Sequence, residues 1–118
     1  MDDKLIKMLN DLQYTSQLKT SICIQLADYA AQMMGYRSTR QINSNDEDKV
    51  EELYTELLNK LLSISDECRS LIERNQLVYR KEILLLNDDD LINKLEDTLF
   101  NAVIFNDSKI FVENFIED

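Results

Sequence analysis

Proline is absent from the 118 residues, and glycine occurs once, at Gly35. A fold of many short strands needs turn residues at close intervals, so this scarcity argues against one and for a few long helices. Histidine is also absent. The commonest general base and the usual zinc ligand are therefore missing together. Catalysis would have to run on Asp, Glu, Lys or Tyr, and no convergent pair of such groups is visible at any spacing. The two cysteines, Cys23 and Cys68, form no C-x-x-C pair. Both fall among apolar helical positions and read as reduced core thiols rather than a disulfide or a metal pair. No apolar run is long enough to cross a bilayer. Met1-Asp2-Asp3-Lys4 is acidic and leads into an amphipathic stretch, unlike a secretory signal. The expected compartment is the cytoplasm, with the nucleus as the second choice.

What is present is apolar residues and negative charge. Hydrophobic residues make up 44% of the chain, enough for a real core in a single domain over residues 1–118. Thirteen Lys and Arg face 23 Asp and Glu, a formal net charge of -10, and the pI is about 4.4. A chain this acidic repels phosphate backbones and anionic lipid, so neither nucleic acid nor a membrane is expected as a direct partner. Arg74, Arg80 and Lys81 form the one notable basic cluster.

The longest apolar periodicity runs from Ser44 to about Leu86. Val50, Tyr54, Leu57, Leu61, Ile64, Cys68, Leu71, Val78 and Leu85 recur at helical steps, as in a heptad seam. Leu58, Leu62 and Ile72 make a second stripe beside the first. A helix with two adjoining stripes should touch two neighbours, so it is expected at the centre of a bundle. Ser44-Asn45-Asp46-Glu47 fits a capping box at its start. Asn75 falls on the seam, where a polar residue either fixes register or marks the end of the helix. The spacing alone leaves the end open between Asn75 and Asn87.

Before it, residues from about Asp3 to Tyr36 read as one helix, with Gly35 suited to its C-terminus. Ile22, Leu26, Tyr29 and Met33 share one arc. Cys23, Ile24, Ala27, Ala31 and Met34 lie on another, turned well away. That second arc is either sandwiched inside the bundle or left open as a shallow docking pad. Arg37 to Asn43 form a polar loop that lets the next helix turn back antiparallel. After it, Asn87-Asp88-Asp89-Asp90 reads as the cap and acidic first turn of a third helix. A metal-binding reading of these acids lacks His, Gly and a second converging cluster. Asn106-Asp107-Ser108 can cap a last short helix. All four phenylalanines, Phe100, Phe105, Phe111 and Phe115, fall in the last fifth of the chain. They are either a core plug or an exposed aromatic surface. The expected fold is all-α: an antiparallel bundle of three long helices with a short fourth helix at the C-terminus.

Glu47-Asp48 followed by Glu52-Leu53-Tyr54 looks like E-D-x-x-x-E-L-Y. Leu84-Leu85-Leu86-Asn87-Asp88-Asp89-Asp90-Leu91 looks like L-L-x-x-N-D-x-L, with Asp88 in place of the Asn. With the helix order, these segments make the chain resemble the GAT domain over roughly residues 4 to 100. That domain is the three-helix module of Golgi-associated, Arf-binding clathrin adaptors and of target-of-Myb-type endosomal sorting proteins. The resemblance implies binding without catalysis: ubiquitin on an apolar patch of the first two helices and, in some members, Arf–GTP. It places Leu53 and Tyr54 in the binding region.

The expected function is therefore a non-catalytic helical module for protein–protein interaction, an adaptor for ubiquitin or a small GTPase. No cofactor is expected. Candidate partner-binding residues are Ile24, Ala27, Ala31, Met34, Leu53, Tyr54, Phe111 and Phe115. The alternatives are a small helical subunit of a larger homo- or hetero-oligomeric assembly, or a viral or phage protein that blocks a host factor through a helical face.

Overall fold

The computed structural model describes Leu5 and residues 7–9, 17–75 and 78–117. The order of elements is α1 (Gln17–Met33), α2 (Glu47–Asn75), α3 (Lys81–Leu84), α4 (Asp88–Phe105) and α5 (Lys109–Phe115), with 3-10 turns at Thr39–Gln41 and Ser44–Asp46. Leu5 and residues 7–9 are helical as well. Among the described residues the fold is all-α. The one β-type contact is an isolated antiparallel bridge between Tyr79 and Ile116.

α1 ends at Met33, short of the expected Tyr36, because Gly35 turns the chain at φ +90°. The Tyr36 amide then reaches back to the Ala31 carbonyl at 3.1 Å, and the Gly35 amide to that of Gln32 at 3.0 Å. This pair of bonds satisfies carbonyls that the helix end would otherwise leave bare. The same pair closes α4: Asp107 bonds to Ala102 at 2.9 Å and Asn106 to Val103 at 3.2 Å. No second glycine is available, so Asn106 takes the left-handed position at φ 51°. Asn is among the few side-chain-bearing residues that tolerate it. Asn106 thus ends α4 rather than opening α5. The start of α5 is held instead by Asp107, whose carboxylate accepts from the Lys109 amide at 3.0 Å.

α2 begins two residues later than a capping box at Ser44 would require. Ser44 lies in the 3-10 turn, and Glu47 is the first residue of the helix. Its end resolves the open choice in favour of Asn75. Val78 and Leu85 therefore leave the seam and are exposed. Of the seam, Val50, Leu57, Leu61, Ile64 and Cys68 are buried and Tyr54 and Leu71 half-buried, while of the second stripe Ile72 is buried and Leu58 and Leu62 half-buried. The register role of the Asn75 side chain, like the positions of Leu12, Thr15 and the Leu18 side chain, lies outside the described residues.

α4 opens as expected. The Asn87 side chain accepts from the Asp90 amide at 2.8 Å, and Asp88, Asp89 and Asp90 fill the first turn, where the helix dipole favours them. Leu91, Leu95, Leu99, Ala102 and Val103 are buried on its inner face. α4 packs on both α1 and α2, and α1 packs on α2, so these three helices enclose one core. Ser21 of α1 donates to Glu96 of α4 at 2.9 Å, which gives that largely buried carboxylate a partner.

The C-terminal segment is stitched down. Phe111 and Phe115 stack at 4.8 Å with no exposed surface, and Lys94 lies 6.0 Å from the Phe115 ring. Burial on that scale contributes about 1.5–3 kcal/mol per ring relative to exposure. The Arg80 amide bonds to the Phe115 carbonyl at 3.0 Å, and the Glu117 amide to that of Val78 at 2.8 Å. The Arg80 guanidinium adds a bond to the Glu113 carbonyl at 2.9 Å. These bonds tie the α2–α3 connection to the end of α5.

Candidate interaction surface

The second arc of α1 is divided rather than uniformly open or shut. Ala31 is fully buried, and Met34 is half-buried against the core. Cys23 and Ala27 are half-buried, while Ile24 is 60% exposed. The chain after Gly35 folds back beside α1, where the Thr39 amide bonds to the Asp28 carboxylate at 3.2 Å.

There, Ile24 and Ala27 share a shallow hollow of about 370 Å³ with Asp28, Ser38, Thr39 and Arg40. α1 supplies the apolar Ile24 and Ala27 and the acidic Asp28, and the loop supplies Ser38, Thr39 and Arg40. Ser38 is held by its own turn, its hydroxyl accepting from the Arg40 amide at 3.3 Å. The loop is closed at its far end by Tyr36, whose hydroxyl donates to the Asp46 carboxylate. That bond, with some desolvation, raises the Tyr36 phenol above its ordinary value. The three loop residues of the rim carry no periodic signal, so only the fold could bring them to Ile24.

Leu53 and Tyr54 are both half-buried against the core. Burial, followed by the neighbouring Cys23 thiol, pushes the Tyr54 phenol up to about 12. Tyr54 therefore joins α2 to the Cys23 side of α1. Phe111 and Phe115 lie elsewhere, inside the core. The expectation of an accessible aromatic surface fails for these two because α5 folds back onto α4 and the chain end is bonded to residues 78–80. Phe100 is also drawn inward, edge-on to Tyr29 at 6.0 Å. Only Phe105, the last residue of α4, is left 69% exposed.

Val78, Leu84 and Leu85 are further exposed apolar residues, which the helical spacing does not reveal. Leu85 reaches 85% exposure. Counting it as a seam position assumed an unbroken helix through residue 85. The outer side of α2 carries a hollow of about 520 Å³ lined by Asp48, Glu51, Glu52, Thr55 and Glu56. Among the described residues no three His, Cys, Asp or Glu side chains gather to hold a metal ion. None of their helices is long and apolar enough to cross a membrane.

Comparison with protein-family models, with curated proteins and with solved structures returns no match. The surface is therefore interpreted from its own chemistry. A shallow apolar floor with hydroxyl, guanidinium and carboxylate groups at its edge can seat an apolar side chain of another protein and hydrogen-bond around it.

Proposed function

We propose that the chain is a non-catalytic protein–protein interaction module, an antiparallel bundle of three long helices that presents the Ile24–Ala27 face of α1 to a partner. The observation that carries this is Ile24: a β-branched apolar residue in mid-helix, 60% exposed, beside a hollow with a polar rim. The resemblance to GAT domains nominates the partners: ubiquitin, or a small GTPase in its GTP-bound form. A surface this small gives weak, fast-exchanging binding.

Isotopically labelled ubiquitin titrated with the chain tests the first partner, and a GTP-loaded small GTPase of the Arf type tests the second. Progressive amide shifts in one of them, lost with Ile24→Ser, are expected. If both spectra stay unchanged at high protein concentration, neither nomination stands.

A second reading is favoured by a different observation. Val78, Leu84 and Leu85 are exposed together in a short stretch of chain, as a subunit that docks on a larger assembly would require. Size-exclusion chromatography with light scattering separates the two. A cooperatively melting monomer is expected of the adaptor, and concentration-dependent association of the subunit.

A further inference from the structure

No further inference is drawn: the strongest candidate, the shallow hollow that Ile24 and Ala27 of α1 share with Asp28, Ser38, Thr39 and Arg40, belongs to the surface already proposed for docking, and with one acid and one base on its rim nothing in the structure shows what covers it.

Discussion

Phe111 and Ile24 mark the two extremes of what an apolar side chain does in this protein. Phe111 is fully enclosed and stacked on Phe115. Truncation to alanine removes the ring and leaves a cavity, so Phe111→Ala should cost about 3–5 kcal/mol in urea unfolding. A cost below about 1 kcal/mol would place the ring outside the core. Ile24 is the opposite case. Its side chain is mostly in water already, so Ile24→Ser should leave stability within about 0.5 kcal/mol of the parent. Cys68 provides a pH test. Burial first, then the neighbouring Glu67 charge, pushes its thiol up to about 12. The unfolded chain releases this proton near the ordinary thiol value while the folded chain keeps it, so stability falls as pH rises between the two values. Tyr54, also raised to about 12, acts in the same direction. Unfolding midpoints at about pH 8 and about pH 10.5 should show that loss. The loss should be smaller in Cys68→Ala, and an equal loss in both proteins would remove Cys68 as a contributor.

The helices differ in how plainly their ends are written in the sequence. The Asn87 cap and the acidic turn after it are local chemistry, and they stand where the sequence indicates. Asn87→Ala should cost about 1 kcal/mol, read from the urea midpoint, and no change would mean that the Asp90 amide finds another acceptor. The other boundaries depend on what folds back. The seam of α2 is legible from Val50 to Cys68 because burial largely follows the helical period there, while at its end Ile72 of the second stripe is buried and Leu71 only half-buried. It misleads at Val78 and Leu85 because spacing cannot reveal that the helix stops at Asn75 and that Val78 and Arg80 pair with the chain end. Asn106 shows the same limit. Read locally it opens α5, but its left-handed backbone makes it the end of α4. Asn106→Gly should therefore be neutral or slightly stabilising, and Asn106→Val destabilising by about 1–2 kcal/mol. Equal stability of the two variants in thermal melts would contradict a left-handed residue there.

Among the described residues most aromatic side chains turn inward, Phe105 excepted, and most charged ones face water, Glu96 excepted. Three of the four phenylalanines are fully or largely drawn inward, which was legible as one of two outcomes but not decidable from composition. The candidate surface was legible only in part. Ile24 and Ala27 stand out on the helical wheel, whereas Ser38, Thr39 and Arg40 reach them through a loop whose path is tertiary. Ala31 and Met34, on the same arc, are buried in the core or packed against it. With a net charge of -10, self-association is opposed by repulsion, and the protein should run as a monomer at low salt. On α1, Ile24 is exposed with Ala27 half-buried beside it, and this is the face proposed above as the docking surface. The most direct measurement labels this chain and follows its own amides while unlabelled ubiquitin and, separately, a GTP-loaded Arf-type small GTPase are added. The account predicts shifts centred on Ile24, Ala27 and the Ser38–Arg40 turn that disappear with Ile24→Ser. Shifts centred instead on Val78, Leu84 and Leu85, or no shifts at all, would contradict it.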